Sequence, residues 1–352
     1  MMSSSIFAIS PYGREGASSR VRLRDWFDHL GLDPTYIDYR GAKNNSAREM
    51  AKDLRGVGRA EWRLRRLDTR GRTVVMSKEA SPLSTGATEQ RLLRRASHSV
   101  FDFDDAMFIV TLRARAALRP ATKLRRSVAS AGVVLAGNEY LADWASQFNA
   151  DVRMIPSCVE PRKYHPKSRW TIDRAAPRLV WLGSPATEQY VAQIAPALIE
   201  VHRRTGALLH LISGPTHNGK LGLLGPMLRR IRWTETTVSR ELARADVAIG
   251  PLPDTTFTRG KCAYKLLQYA ATGLPMVASP VGSNDLAIKR FAGLAATTID
   301  EWTDALISLI TGSESTRGNG ALSAVAAVQE HYSFASWSDA WLSAAQIPTR
   351  PR

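Results

Sequence analysis

The chain has 352 residues, of which 44% are hydrophobic and 23% are charged. This composition is typical of a folded globular protein and excludes an extended disordered one, and the length favours two domains over one. No apolar run approaches the roughly 20 residues that a membrane-spanning helix needs. The first ten residues have no basic region and only a five-residue apolar stretch, so we expect no signal peptide. Cys158 and Cys262 are too few and too far apart for a zinc site, so we expect a reduced cytoplasmic location.

The formal net charge is +16, which is compatible with three kinds of anionic partner: nucleic acid, a membrane surface, or a small substrate. The basic residues are spread over both halves of the chain and are densest in 59–72 and 113–126, two segments of helical character. A solvated basic face is the plain interpretation. Contact with a lipid surface or another polyanion is the alternative.

Short apolar runs alternate with helical patterns through the first 160 residues. Helices are predicted over 18–30 and 139–148. Strands are predicted over 5–9, 34–39, 72–77, 99–103, 132–137 and 151–156. Such alternation is typical of βαβ units that form a parallel sheet.

A polar, proline-containing linker is predicted over 161–177, and the alternation then resumes. Strands are predicted over 178–183, 208–214, 246–251 and 275–279. Helices are predicted over 187–202, 238–244, 261–272, 300–310 and 321–330. The tail carries Trp337 and Trp341 four residues apart, which favours one more helix.

These patterns predict an α/β protein with two Rossmann-like parallel-sheet domains, residues 1–160 and 178–332, joined by the linker 161–177. The C-terminal helix, 334–346, is expected to cross back to the first domain. Ligands of such sheets bind at the carboxyl ends of the strands. We therefore predict a central cleft that both domains face, lined by the loops that follow the strands.

The segment 251–280 holds the clearest candidate for a ligand site. A strand is predicted to end at Pro251, Gly260 lies in the following loop, and Lys261 and Lys265 open the next predicted helix. A helix N-terminus suits phosphate, and a spacing of four places both lysines on one helix face. Two cations there are unfavourable unless an anion is bound. We predict a diphosphate site, with two solvated surface lysines as the alternative.

From Ser10 to Tyr332 the chain resembles the bacterial family 4 glycosyltransferases, which are retaining enzymes of the GT-B fold. The segments that carry the resemblance are 101–106, 134–141, 155–160, 181–187, 260–269 and 273–279. The resemblance implies a metal-independent enzyme without a cofactor. It would move a sugar from a nucleoside diphosphate sugar, with UDP favoured over GDP, to an unidentified acceptor with retention of anomeric configuration.

The donor residues depart from the family pattern. Where the family often has two glutamates separated by seven residues, this chain has Gly260 and Gln268, and the amide of Gln268 can still bond a ribose hydroxyl. The family's arginine and lysine after the first strand of the second domain are missing, so Lys261 and Lys265 would supply the charge, with Arg259 as a further candidate. The donor-binding residues implied are Gly183, Ser184, Thr187, Trp233, Arg259, Gly260, Cys262 and Gln268. Trp233 is first of all a candidate for the core and only then a donor contact.

Three aspartates, Asp102, Asp104 and Asp105, lie at the end of a predicted strand. The resemblance places Asp104 where many relatives have a histidine that faces the donor sugar. We therefore predict Asp104, together with Lys261 and Lys265, as the catalytic residues. A structural capping role and a metal site are the alternatives for these carboxylates.

The loop after the first strand is glycine-rich and is expected near the diphosphate and the acceptor. Ser18 or Ser19 is a candidate cap for the helix that follows. The predicted acceptor and loop residues are Tyr12, Gly13, Arg14, Arg20, Asp105 and Asn138. A plain turn with surface arginines is the alternative for the loop, and Asn138 is first of all a helix N-cap candidate.

Two other functions compete with sugar transfer. A nucleotide-sugar epimerase of the same fold would need glutamates and a histidine that are absent at matching places. The high positive charge also favours a basic protein that binds nucleic acid or a membrane surface, although no recognition motif for nucleic acid occurs. The predicted partners are a nucleoside diphosphate sugar and a small-molecule, glycan or lipid-linked acceptor, with peripheral contact to the anionic inner face of a membrane as a further option.

Overall fold

The computed structural model describes residues 6–42, 45–109, 119–215 and 219–348. It forms two compact units. The first consists of Met1–Ser157, Arg259–Cys262 and Phe334–Arg352, and the second of Cys158–Thr258 and Ala263–Ser333. Each unit is built around its own parallel sheet.

In the first unit the described strands form one sheet in the order β2-β1-β3-β4-β5-β6, and every neighbouring pair is parallel. The strands are β1 (Ile6–Ser10), β2 (Thr35–Asp38), β3 (Thr73–Ser77), β4 (His98–Phe103), β5 (Val133–Ala136) and β6 (Val152–Met154). Central strands such as β5 are buried along their whole length. Such apolar runs are typical of parallel sheets that are covered on both faces.

In the second unit the described strands form a sheet in the order β12-β11-β10-β7-β8-β9, again with all pairs parallel. The strands are β7 (Arg178–Leu182), β8 (Leu208–Ser213), β9 (Leu228–Arg232), β10 (Val247–Gly250), β11 (Met276–Ala278) and β12 (Leu294–Ala295). Apolar side chains from β7, β8 and β10 are buried on both faces of this sheet.

Helices cover the sheets. In the first unit the α-helices are Ala17–Ser19, Asp25–Leu30, Ala47–Ala51, Leu54–Arg66, Ala87–Arg95, Pro120–Val128, Glu139–Ser146 and Phe334–Ala345, and Arg20–Arg24 is a π-helical turn. In the second unit they are Glu188–Gln193, Ala195–Thr205, Glu235–Ala243, Thr256–Arg259, Tyr264–Ala271, Ser283–Arg290, Ile299–Thr311 and Glu314–His331. The 3-10 turns are Pro161–Lys163, Pro185–Thr187 and Gly219–Leu224.

The C-terminal helix packs within the first unit. Trp341 is buried, and its ring stacks on Trp26 at 5.6 Å between centroids. Its edge meets Phe27 at 5.3 Å. On the same helix, the Ala344 carbonyl oxygen lies 2.7 Å from Nε2 of His98. The helix that the tryptophan spacing predicts is therefore confirmed, together with its return to the first sheet.

The segment 161–177 is closely packed in the second unit. The Trp170 indole N–H donates to the Gly273 carbonyl at 2.7 Å, and Arg317 donates to the Trp170 carbonyl at 2.8 Å. Lys167 donates through its backbone N–H to Thr272 at 3.0 Å. The predicted domain bounds, 1–160 and 178–332 with 161–177 as the linker, stay a prediction.

Most predicted strands and helices are present within a few residues, but two elements differ instructively. The basic run Arg229–Arg232 belongs to strand β9 at a sheet edge, where charged side chains are tolerated. The predicted helix over 261–272 begins only at Tyr264, because Ala263 has a φ of 51°, a left-handed conformation that a right-handed helix excludes. Part of the basic segment 113–126 lies outside the described residues.

Across the part of the chain that the structure describes, we find no helix that combines the length and the apolar character needed to cross a membrane.

Candidate functional site

A buried ion pair stands at the carboxyl end of strand β4. The Arg22 guanidinium donates to Oδ1 of Asp102 at 3.1 Å and to Oδ2 at 2.5 Å, and both side chains are buried. Arg22 also donates to the Ile155 carbonyl at 3.0 Å. Burial alone would lower the pKa of Arg22, but the Asp102 carboxylate raises it above its usual value. Asp102 therefore has a structural role, because its pair with Arg22 stabilises this end of the sheet.

The other two aspartates share one lysine. The Lys78 ammonium lies 2.9 Å from Oδ1 of Asp104 and 2.6 Å from Oδ2 of Asp105. Lys78 directly follows β3, and its backbone N–H donates to the Asp102 carbonyl at 2.8 Å. Its φ of 66° is left-handed, which is uncommon for a residue with a side chain and occurs often at functional sites.

The charges in this cluster stabilise one another. Burial opposes the ionised form of Lys78, but Asp104 and Asp105 raise the pKa of its ammonium above the ordinary value. Burial likewise acts to raise the pKa of Asp105, but Lys78 and then Lys261 lower it to about 2. Lys261 lies farther away, with Nζ 3.4 Å from Oδ1 of Asp105. Asp104 and Asp105 keep 16% and 27% of their side chains exposed, so a ligand can reach them.

The loop that carries Lys78 is fixed from behind by a second buried network. Oε1 of the fully buried Glu89 accepts the backbone N–H groups of Ala80 at 3.1 Å and Ser81 at 3.0 Å. The Lys123 ammonium lies 2.6 Å from Glu79 and also donates to the Ser81 carbonyl. These contacts hold the Lys78 backbone in its left-handed conformation.

Arg259–Cys262 packs against the aspartate turn. A Cβ on Gly260 would lie 2.6 Å from Cβ and 2.8 Å from the backbone nitrogen of Ala106, so no side chain fits there. The Cys262 thiol lies 3.4 Å from the Asp104 carbonyl oxygen, and burial raises its pKa. The predicted departure at Gly260 thus has a structural cause: a glutamate at this position would collide with Ala106.

Asn138 has two roles in the same cluster. Its Oδ1 accepts the Leu141 backbone N–H at 2.9 Å, which confirms it as the N-cap of the helix Glu139–Ser146. Its amide donates to the Lys261 carbonyl at 3.2 Å. The same side chain therefore starts a helix and anchors the segment that carries Lys261.

The first loop contributes unevenly to the cluster. Tyr12 is half-buried and adds, after Asp104 and Asp105, to the raised pKa of Lys78, so this part of the loop lies near the cluster. Gly13 is buried and donates to the Ala42 carbonyl at 2.9 Å, whereas Arg14 is exposed. Arg20 is half-buried in the π-helical turn. The expectation that a serine caps this helix is wrong, because the helix begins at Ala17 after Gly16 and has no side-chain cap.

In the second unit, Lys265 lies over the face of Trp181. Its Nζ is 4.4 Å from the ring centroid, a distance that gives a cation–π interaction. Trp181 is fully buried at the end of β7, and a Cβ on Gly183 would lie 2.4 Å from its ring. The same Cβ would lie 3.0 Å from Nζ of Lys265. Gly183 is therefore required for the chain to pass over the indole beside this ammonium group.

Lys261 and Lys265 do not share a helix face, and the prediction that they do is wrong. Only Lys265 lies in the helix Tyr264–Ala271, and Lys261 packs with Asp105 in the first unit. The left-handed Ala263 separates the two lysines. The predicted diphosphate site required both lysines at the start of one helix. Of the two, only Lys265 lies in that helix.

The remaining predicted donor residues take separate places in the second unit. Gln268 is buried and donates to the Tyr164 hydroxyl at 3.0 Å. Ser184 and Thr187 form a capping box around a 3-10 turn and are partly exposed. Trp233 is half-buried against the hydrophobic core, and Arg259, in the first unit, is exposed.

Sequence reasoning did not identify the ion pairs that organise both sites. Lys78 and Arg22 were missed in the first unit, and Glu188 was missed in the second, where it accepts from Arg230 at 3.0 Å and from Ser213 at 2.7 Å. The available signal for Lys78 was its position directly after a predicted strand. Nothing in the spacing of Arg22 distinguishes it from neighbouring surface arginines.

Among the described residues, no group of three His, Cys, Asp or Glu side chains is arranged to hold a metal ion. Metal independence itself stays a prediction.

Residues 176–312 match a family model described as glycosyl transferases group 1. No curated protein sequence gives a match. The matched segment includes the Trp181, Gly183 and Lys265 cluster and the chain from β7 to the helix Ile299–Thr311.

Several solved structures are similar to this chain. A UDP-forming α,α-trehalose-phosphate synthase from Burkholderia xenovorans is similar over 99% of this chain and 100% of its own, with a TM-score of 0.67 and 12% identity. WaaG, a glycosyltransferase involved in lipopolysaccharide biosynthesis, is similar over 98% of this chain and 100% of its own, with a TM-score of 0.63 and 13% identity.

A mutant of TarM from S. aureus, in complex with fondaparinux, α-GlcNAc-glycerol and UDP, is similar over 79% of this chain, with a TM-score of 0.58 and 12% identity. The likeness covers 56% of TarM, so this chain spans just over half of that protein.

At these identities the likeness establishes the fold. The chain has the α/β architecture of GT-B glycosyltransferases, as predicted, with two parallel six-stranded sheets in the described residues. The family match over 176–312 and the fold together support a glycosyltransferase as the class of enzyme.

Proposed function

We propose that the protein transfers a sugar from a nucleoside diphosphate sugar to a hydroxyl acceptor with retention of anomeric configuration, in the cytoplasm and without a metal or cofactor. The observation that carries this proposal is the match of 176–312 to group 1 glycosyl transferases, because that segment contains the Lys265 cluster. UDP is the favoured nucleotide, since one similar structure is a UDP-forming synthase and another holds UDP.

A positive charge in the second unit suits the departure of the diphosphate in such a reaction. As the bond between the anomeric carbon and the diphosphate breaks, negative charge builds up on the leaving group, and a fixed cation stabilises it. Lys265 supplies that cation in the second unit, and the backbone at Gly183 lies beside it. The new bond forms between the anomeric carbon and the acceptor oxygen, and the acceptor proton passes to the departing phosphate.

The first unit supplies the groups that bind sugar hydroxyls. Asp104 and Asp105 are partly exposed acceptors whose positions are fixed by Lys78. Lys261 adds a donor 3.4 Å from Asp105. We propose that Asp104 and Lys261 contact the transferred sugar, and that Tyr12 and Asn138 border the acceptor.

The test is a thermal-shift comparison of UDP, GDP and dTDP on the wild type and on Lys265→Met, which keeps the alkyl stem on Trp181. A ligand at 100 times its dissociation constant stabilises a protein by about 2.7 kcal/mol. We expect one nucleotide to stabilise the wild type and to lose most of this effect in Lys265→Met.

Lys289→Met is the matched control, because Lys289 is exposed and pairs only with Asp285 at 2.7 Å among the described residues. The control should respond to nucleotide as the wild type does. Failure of all three nucleotides to stabilise the wild type would overturn the proposal.

A further inference from the structure

The helix Leu54–Arg66 presents an unusually basic outer face in the first unit. Its sequence holds five arginines and a single acidic residue, Glu61. Glu61 is not part of the outer face, because its carboxylate accepts the Tyr39 hydroxyl at 2.8 Å and the Ser81 hydroxyl at 2.5 Å. The one negative charge of the helix is therefore engaged with the body of the protein.

One stripe of this helix combines cations with an exposed aromatic ring. Arg55, Arg59, Trp62 and Arg66 are spaced four, three and four residues apart, so they follow one line along the helix. Trp62 is 57% exposed, and Leu54, at the start of the helix, is 71% exposed. No ion pair joins Arg55 or Arg59 to any residue that the structure describes.

The acidic residues that flank the helix along the chain are already paired. Asp53, at the N-cap, lies 3.1 Å from Arg40. Asp68 lies 3.7 Å from Arg70. The arginine stripe therefore keeps its positive charge for an external partner.

A basic helix with an exposed tryptophan and leucine is the pattern of helices that lie in a membrane interface. Tryptophan concentrates at the level of the lipid headgroups, and arginines near an anionic surface each contribute about 1 kcal/mol of attraction. A nucleic acid fits less well. One face of the Trp62 ring already carries the Arg66 guanidinium at 4.3 Å from its centroid and is closed to base stacking.

We propose that the Leu54–Arg66 helix docks the protein on an anionic membrane surface. Arg55, Arg59 and Arg66 face the lipid phosphates, Trp62 inserts at headgroup depth, and Leu54 adds an exposed apolar side chain about two turns earlier on the helix. This proposal stands independently of the nucleotide site, since none of these residues belongs to the Lys78 or the Lys265 cluster.

The experiment is co-sedimentation of the full chain with vesicles of phosphatidylcholine alone and of phosphatidylcholine with phosphatidylglycerol. The first variant is Arg55→Glu/Arg59→Glu/Arg66→Glu. The matched control is Arg162→Glu/Arg169→Glu/Arg174→Glu, which makes the same change in charge at exposed arginines of the second unit. Circular dichroism and thermal unfolding establish that both variants are folded.

We expect the wild type to bind only the anionic vesicles, and more weakly as salt is raised. The first variant should lose at least about a hundredfold in partitioning, as three arginines at about 1 kcal/mol each predict. The control variant should bind like the wild type apart from a small loss of long-range attraction. Trp62→Ser should weaken binding and should remove a vesicle-induced blue shift of the tryptophan emission.

Three results would overturn the proposal. The wild type could fail to bind anionic vesicles. The two triple variants could lose binding equally, which would mean that net charge alone is responsible. The wild type could bind nonspecific duplex DNA with a steep salt dependence and leave the vesicles unbound, which would make nucleic acid the partner of this face.

Discussion

At the scale of single residues, Lys78 holds the two carboxylates to which we assign sugar binding. Its ammonium lies within 3 Å of both Asp104 and Asp105, and its side chain is only 9% exposed. Removing one partner of a buried ion pair leaves the others uncompensated and costs about 3–5 kcal/mol. We predict that Lys78→Met lowers the free energy of unfolding, measured with urea, by about this amount.

Lys289→Met again serves as the control, since an exposed pair of this kind contributes only about 0.3–0.5 kcal/mol. A loss in Lys78→Met no larger than in the control would contradict the account of the cluster.

Asp105 gives the cluster a dependence on acid. Its pKa is lowered from 3.8 to about 2 against the effect of burial, by Lys78 first and then by Lys261. A carboxyl whose pKa is lower in the folded state stabilises the protein above its unfolded pKa and loses this effect as pH falls through the folded one. We predict that the stability difference between wild type and Asp105→Asn shrinks by about 2 kcal/mol between about pH 5 and about pH 2.

The measurement is urea unfolding over this pH range. Asp339→Asn is the control, because Asp339 is exposed and forms no ion pair with any described residue. A flat difference for Asp105→Asn, equal to that of the control, would show that Asp105 is not held ionised by its neighbours.

At the scale of elements, the segment Arg259–Cys262 shows why position 260 carries no side chain. Gly260 approaches Ala106 so closely that a Cβ would overlap it at 2.6 Å. Overpacking of this kind typically costs about 1–3 kcal/mol. We predict that Gly260→Ala destabilises the protein by this amount in urea unfolding and displaces Lys261 from Asp105.

Gly58, in contrast to Gly260, is a glycine at which a side chain would fit. It lies inside the helix Leu54–Arg66, and its Cβ would meet nothing within 4 Å. Gly58→Ala should therefore stabilise the protein by about 0.5–1 kcal/mol, because alanine is the better helix former. Equal effects of the two substitutions would contradict the close packing at Gly260.

Sequence patterns predict elements better than sites in this chain, and the reason is physical. The buried parallel strands β5 and β7 are continuous apolar runs, which local composition reveals. Strand β9 is half polar at a sheet edge and reads as a basic run, so its pattern does not reveal it. Ala263 has a left-handed backbone, so Lys261 and Lys265 do not share a helix as predicted. This conformation depends on tertiary packing that no local pattern encodes.

The sequence singled out several side chains of the first-unit cluster but not the lysine that pairs with its carboxylates. Asp104, Asp105, Lys261 and Asn138 do come together in the first unit, as strand-end positions in a parallel sheet should. The lysine that joins the aspartates could not be singled out, because pairing of Lys78 with residues 26 and 27 positions later follows from the order of strands in the sheet.

At the scale of the whole molecule, the central claim is that the protein cleaves a nucleoside diphosphate sugar and moves the sugar. The direct measurement is time-resolved NMR of UDP-glucose, UDP-galactose and UDP-N-acetylglucosamine with the wild type and with Lys265→Met, where water substitutes slowly for the acceptor. We predict that one donor is cleaved to UDP and free sugar. The sugar should be released first in the anomeric configuration that it has in the donor. We also predict a rate about 10²–10³ lower in Lys265→Met. No cleavage of any donor above the enzyme-free rate, or equal rates in the two proteins, would contradict the account.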